Sequence, residues 1–573
     1  MYVESVPNRN SPPAVLLRES RREDGKIVKR TLANLSDWPA AKIESLRRLL
    51  RDELLVDPHA LFQIHQTLPH GHVEAVLMTM RGLGMESILA SQPGRERDLV
   101  MAMIAERLLH PCSKLATVGD WHTTTLAEQL SVQDATEDEL YLAMDWLLER
   151  KQRIEKKLAA RHLKEGSFVL YDLSSSYYEG HSGPLAKFGH GRDGKKGPPI
   201  IVYGVLTDPQ GRPLAVEFYP GNTADPTTVI DQANKLADQF GLSQVVFVAD
   251  RGMLTQPQIE KLKTHAGFGW VTALTSVAIR ELVADNSVQL SLLDETNLVE
   301  ITSPDYPGER LMVCRNPLLA EERRRRRREL LESTEKQLDK ISKQVARRTD
   351  KTLLAAEIAL KVGKILGRYK MAKHFDCTID NGTFGWSRRE ESIQKEASLD
   401  GIYVIRTSEP VERLSSEDTV RSYKNLAQVE RAFRSLKSID LMACPIRHPK
   451  EDCVKAHIFL CMLAYYVQWH MLQAWAPLLF ADQQLPEMRK MRDPILPATI
   501  SESAKDKKET HQTQDGLPVH SFSSLMDNLA TRVRVTYGLK SDTASSTFQQ
   551  VPQPSSLQER AYQLLASYPV AGN

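Results

Sequence analysis

The chain has 573 residues, 41% of them hydrophobic and 26% charged, with a formal net charge of +2. That length exceeds what one core holds and implies several domains, and the composition is that of a globular protein with no bulk electrostatic signal for nucleic acid. No apolar run is long enough to span a membrane, the first residues lack a signal-peptide core, and six scattered cysteines without a CxxC pair argue against structural zinc or a disulfide framework, so a reduced cytoplasmic protein with no membrane partner is expected.

Residues 1–165 read as mostly helical. LVMAMIAERLL, TLAEQL and DELYLAMDWLLERKQRIEKKLAARHL repeat apolar residues at three- and four-residue spacing, around the Pro- and Gly-bearing turn HPCSKLATVGDWH. Small helical units with basic ends commonly bind DNA. Periodicity does not separate that role from a plain helical cap.

The texture changes at Gly166. SFVLYDLSSSYYE is a short apolar strand, followed by the glycine-rich loop GPLAKFGHGRDGKKGPP. IIVYGVLTD and PLAVEFYPG form a hairpin around PQGR. DPTTVIDQANKLADQF is a helix with Asp at its N-cap and Pro at its first position, QVVFVADRG a buried-type strand, LTQPQIEKLKTHAG a helix and FGWVTAL a strand. Three antiparallel strands followed by alternating helices and strands give the layout of an RNase H-like α/β domain, a mixed sheet whose first half spans 166–275.

Residues 276–399 break that rhythm and read as a mixed α+β insertion. It contains expected strands at VQLSLL, NLVEIT and ERLMVCR, and an amphipathic helix carrying six consecutive arginines, Arg323 to Arg328. Such a helix is most simply a charged surface exposed to water, with phosphate binding as the lesser reading. Residues 400–481 resume with the strand GIYVIRT, a helix bearing Glu430 and the strongly apolar core helix CVKAHIFLCMLAYYVQWHMLQAW. Residues 482–573 read as a polar linker and a tail, a candidate for dimerisation.

Tyr423, Glu430 and Lys437 recur every seven residues in RSYKNLAQVERAFRSLKSIDL, so on a helix they share one face, with Arg434 at i+4 from Glu430. Taken alone, a solvated face with ion pairs accounts for this as well as a metal ligand flanked by phosphate-binding groups does. Asp172 lies within the first strand and Asp250 ends the fourth. In the inferred sheet those strands are adjacent and parallel, and a helix after the last strand brings Glu430 to the same edge. Three carboxylates offer hard oxygen ligands suited to Mg²⁺ or Mn²⁺, and two such ions serve an in-line phosphoryl displacement. His190, His374, His448 and His457 have no metal-ligand spacing. Ser174, Ser175 and Ser176 have no partner histidine, which argues against serine nucleophile chemistry.

VLYDLSSSYYEG, EFYPGNTADPTT, VVFVADRGM and the Tyr423–Lys437 stretch together resemble the bacterial insertion-sequence DDE transposases, in the subgroup marked by Tyr-x2-Arg-x3-Glu-x6-Lys. The resemblance runs from about Phe168 to Tyr466. It implies that Asp172, Asp250 and Glu430 are the catalytic acids and the ligands of two Mg²⁺ or Mn²⁺ ions. It also implies that Tyr423 and Lys437 steady the DNA backbone near the scissile phosphate. The subgroup's arginine falls at Leu426 here, which leaves Arg434, or else Arg431, to supply that contact.

By the same resemblance the insertion contacts the cleaved DNA end. Trp386 is the candidate base-stacking aromatic there, against the alternative of a tryptophan packed on a small sheet. The glycine-rich loop, with Arg192, Lys195 and Lys196, is a candidate phosphate contact, against a plain exposed loop. The implied activity is cleavage at terminal inverted repeats and joining of the 3′-hydroxyls to target DNA. A homodimeric synaptic complex is implied, nucleoid-associated when bound. A catalytically inactive or domesticated DNA-binding protein, and a structure-selective nuclease without strand transfer, are the competing readings.

Overall fold

The structure, a computed structural model, describes every residue except 10, 54–61, 193–196, 286, 294–295, 349–351, 438–439, 492, 498, 540–546 and 570–573. Lys195 and Lys196 of the glycine-rich loop therefore lie outside the described residues. The chain forms two units, Met1–Pro69 with Arg532–Gln553, and His70–Thr531 with Pro554–Asn573.

The small unit corrects the expectation of helix from the first residue. β1 (Tyr2–Val6), β2 (Ala14–Glu23) and β3 (Lys26–Asn34) form an antiparallel meander. The β2–β3 turn is Asp24-Gly25, with φ of 46° and 80°. Two-residue hairpins need that left-handed pair, and Asp-Gly adopts it at low cost. The strands are half-exposed or exposed throughout, so they carry little of the hydrophobic alternation that marks a core strand. After the helix Ala40–Leu49 comes β4 (Phe62–Pro69). It pairs antiparallel with β15 (Val533–Leu539), which pairs in turn with β16 (Thr547–Gln550).

The large unit is helical at its start, as expected, with Gly71–Gly82, Arg95–Leu109, Glu137–Glu149 and Lys151–His162, while the stretch expected as a turn holds the short helix Lys114–Asp120, N-capped by Ser113. Thr136 and Glu139 close a reciprocal capping box at the start of one of them. These helices share a hydrophobic core with the helix Glu451–Ala474, whose residues are buried on every side. That burial explains its uninterrupted apolar texture. Among the described residues no helix is long and apolar enough to cross a membrane.

β5 (Ser167–Tyr177), β6 (Ile200–Thr207) and β7 (Pro213–Pro220) are antiparallel. β8 (Val245–Val248) runs parallel to β5, and β9 (Phe268–Ala273) parallel to β8, as the strand pattern predicts. Along these strands alternate residues feed two cores. Leu170, Val205, Val246 and Val248 join the core shared with the Glu451–Ala474 helix, while Val169, Tyr171, Val245 and Phe247 pack on the opposite face.

The sheet continues past β9 through β14 (Ile402–Thr407), β11 (Arg310–Arg315) and β10 (Leu298–Ile301), all antiparallel. Two strands assigned to the insertion thus extend the main sheet, which narrows the insertion proper. The expected strand at VQLSLL is a short 3-10 turn, Leu290–Leu293. The remainder is the 30-residue helix Pro317–Ala346, the helix Ala355–Tyr369, and the hairpin β12 (Phe375–Asp380) with β13 (Thr383–Arg388). Leu331, Leu338, Ile341, Phe375 and Phe384 give it a core of its own.

The stretch expected as a linker is folded. It holds the helices Leu485–Met491 and Glu502–Thr510, and Lys507 is buried with its Nζ donating to the carbonyls of Ala476, Leu479 and Ala481. The final helix Ser556–Ser567 returns to the large unit, where Tyr562 Oη donates to the Gly71 carbonyl at 3.0 Å.

Candidate active site

The β5–β8 register pairs Leu170 with Val248. Two residues further along each strand direction are Asp172 and Asp250, just past the last paired residues, on the face of Leu170 and Val248. That face is covered by the helix Leu426–Lys437. Val429, Ala432, Phe433 and Leu436 form its buried stripe, and Phe433 meets Tyr203 of β6 edge-on at 5.9 Å. The β6–β7 turn fixes the helix from one side. Gly211 has φ of 85°, and a Cβ there would lie 2.8 Å from Gln428 Cβ, so the turn approaches the helix as only glycine permits. Glu430 follows Val429 on the exposed flank of the stripe.

Asp172 is half-buried and takes the Leu173 N–H at 2.8 Å. Loss of water raises its pKa from 3.8 to about 6, the nearby Asp250 and Glu430 charges push the same way, and the Leu173 N–H and Arg192 oppose them. The three acids therefore feel one another. They do not form a closed cage: among the described residues, only Glu106, His110 and Cys112 bring three ligand atoms of this kind within 4.8 Å of one another.

The single helix expected through Tyr423, Glu430 and Lys437 is two, broken at Asn425: Tyr423 lies on the first, Ser416–Lys424, and its Oη donates to Asp250 Oδ1 at 2.9 Å. Burial, then Asp250, raises its pKa well above the usual phenol value. Arg431 and Arg434 are exposed on the Glu430 helix and Lys437 is half-buried. Leu426, where the resemblance calls for arginine, packs against the hydrophobic core. This accounts for an apolar residue at that position.

Arg192, a candidate phosphate contact in the sequence, and a buried charge network that the sequence pattern does not single out both shape the site. Arg192 reaches from the glycine-rich loop toward Asp172, donates its backbone N–H to Ser175 Oγ at 3.1 Å and pairs with Asp225 of GNTADPTT. Beneath β7, Glu155 is fully buried and bonds Lys151 at 3.0 Å, Lys235 at 2.9 Å and the Val216 N–H at 3.0 Å, with Glu217 joining both lysines. This network locks the helix Lys151–His162 to the sheet. Its only sequence trace is a set of charged residues on otherwise apolar faces.

In the insertion Trp386 is half-buried, meets Phe375 edge-on at 5.6 Å and donates Nε1–H to Asp339 at 3.2 Å. That is the geometry of a tryptophan packed on a small sheet. Of the six arginines, Arg327 is buried against Asp400 and the other five are exposed. A groove of about 730 Å³ beside it is lined by Arg280, Arg323, Arg326, Lys373, Arg389 and Lys395, with three acids. His374, His448 and His457 are packing residues. His374 bonds Glu396 and Ser392 at 3.1 Å each, and the other two rings lie 5.1 Å apart, burial holding both below the usual imidazole range.

Residues 165–467 match the family described as the transposase DDE domain, which is more than half of the chain. A DNA-acting transposase is the class that this match defines, and the chain belongs to the DDE-domain transposase family. Residues 3–55 match the N-terminal domain of IS1634 family transposases, so the small unit's first strands carry their own signature within insertion-sequence transposases. No curated protein matches the chain. Among solved structures the chain is similar to the piggyBac transposase synaptic complex with hairpin DNA, at 9% identity, over 80% of this chain and 76% of that one. The TM-score is 0.33, too loose an overlap to carry an argument.

Proposed function

We propose that this transposase has an RNase H-like core of the Tyr-Arg-Glu-Lys subgroup. It binds the terminal inverted repeats of an insertion sequence, cuts DNA at the ends and joins the freed 3′-hydroxyls to target DNA. The observation that carries the reading is the parallel β5–β8 register, with Asp172 and Asp250 just past its last pair on the face that the Glu430 helix covers.

The donor set fits Mg²⁺ or Mn²⁺. Asp172, Asp250 and Glu430 offer only oxygen, and the raised Asp172 pKa marks a desolvated, like-charged place that a divalent cation would relieve. Two such ions, when bound, activate an attacking oxygen and stabilise the leaving one. Tyr423 holds Asp250 in one rotamer through its hydrogen bond. Arg434, Arg431 and Lys437 supply phosphate contacts along the Glu430 helix, and Arg192, anchored by Asp225, adds a cation beside Asp172. The basic groove of the insertion takes the DNA end, and any base stacking on Trp386 would first have to free it from Phe375 and Asp339. Two ends must be cut and joined in concert, so the working form is a homodimer on DNA in the bacterial cytoplasm.

The test is purified protein with Mg²⁺ and DNA carrying the element's own ends. Wild-type protein is expected to release 3′-hydroxyl ends and join them, and Asp250→Ala to release none. Equal release by both proteins overturns the catalytic reading, and cleavage without joining replaces it with a nuclease.

A further inference from the structure

We infer that Glu106, His110 and Cys112 form a second metal site, of zinc type, at the end of the helix Arg95–Leu109. The carboxylate oxygen, ring nitrogen and thiol sulfur lie within 4.8 Å of one another. The sequence explains how. Glu106 lies on the last helical turn and His110, the residue that caps the helix, returns its N–H to the Glu106 carbonyl at 2.8 Å. Pro111 then ends the helix and turns Cys112 back toward them. No CxxC spacing is involved, which is why the cysteine pattern does not reveal the set.

The second observation is the state of Glu106. It is only 6% exposed, and the charged groups around it are Asp120, Arg107 and Lys114. A carboxylate held this far from water gains from a cation at its oxygens. Arg107 and Lys114 are themselves buried, at 6% and 3% exposure.

The mouth of the site is open, because the His110 side chain is 68% exposed. Asp120 Oδ2 lies 3.1 Å from His110 Nδ1, a carboxylate beside the ring of the kind that commonly orients metal-bound histidine. Mixed thiolate, imidazole and carboxylate ligands suit Zn²⁺ and do not suit Mg²⁺. Binding takes the thiol proton from Cys112, and any proton on Glu106, and releases them to solvent. The ion would pin the connection 110–113 to the helix, which gives it a fastening role separate from the acids of the β5–β8 edge.

The experiment uses the full chain. Purified protein is loaded with Zn²⁺, dialysed and assayed for retained metal, then reloaded with Co²⁺ and scanned for the sulfur-to-cobalt charge-transfer band in the near ultraviolet. One retained zinc per chain and a cobalt band are expected. Cys112→Ser and His110→Ala should lose both, while Cys453→Ser and Asp250→Asn should keep both. His110 is exposed, so that variant tests the site without disturbing the core. No retained zinc in the wild type, or a band that survives Cys112→Ser, overturns the inference.

Discussion

The Asp172→Asn substitution removes a carboxyl whose pKa is about 6 in the folded protein, against 3.8 for the free side chain. A raised acid pKa means that the folded state holds the proton more tightly. Stability is therefore greatest below pH 4 and declines as pH rises through 6. At 1.36 kcal/mol per pKa unit the loss at neutral pH is about 3 kcal/mol, and asparagine escapes it while keeping an oxygen for the Leu173 N–H. In chelator at pH 7.5 the variant should unfold at higher denaturant, by that amount, and at pH 4 the gain should shrink below about 1 kcal/mol. Added Mg²⁺ should stabilise the wild type and leave the variant unchanged, since only the former retains all three acids. Paired urea titrations at the two pH values provide the assay. An equal gain at pH 4 and pH 7.5, or a destabilised variant, refutes the reasoning. On the proposed function the same variant should fail to cut DNA, which would make Asp172 an acid that the fold is more stable without.

Tyr423→Phe deletes the hydrogen bond to Asp250, worth about 0.5–1.5 kcal/mol, so end cleavage should fall roughly two- to tenfold with the circular dichroism spectrum unchanged. Unchanged cleavage would show that Asp250 needs no such tether. Glu155→Ala leaves two buried lysines to share Glu217 and should cost about 3–5 kcal/mol in denaturant unfolding; a loss under about 1 kcal/mol would mean that Glu217 alone satisfies both. Combining Arg323→Ala with Arg326→Ala should leave stability intact and flatten the dependence of log DNA affinity on log salt by about two. An unaltered slope would take the groove off the DNA path.

Much of the central sheet is legible in the sequence because its strands are buried and bounded by turns. The order of β5 to β9 follows from that, and with it the adjacency of the Asp172 and Asp250 strands. The Glu430 helix is legible for a similar reason, since Val429, Phe433 and Leu436 repeat at helical spacing beside the acid. What escapes is decided by distant partners. β10 and β11 look like insertion strands until β14 offers them an edge. β2 and β3 are too exposed to carry the alternation of a core strand, although Asp24-Gly25 is a hairpin-turn signal. The pairing of Arg192 with Asp225 joins residues 33 apart, and nothing local in either segment requires it.

The strand β4 has a consequence for how the protein is made. Its partner β15 is encoded more than 460 residues later, near the end of the chain. At about 5–20 residues per second a ribosome needs about 25–90 s to deliver it. Throughout that interval β4 is an open edge with unsatisfied amides, the kind of surface that recruits stray strands. The first unit is thus the last to be completed, and a nascent chain released before about residue 540 would hold the DDE region but lack a finished front end.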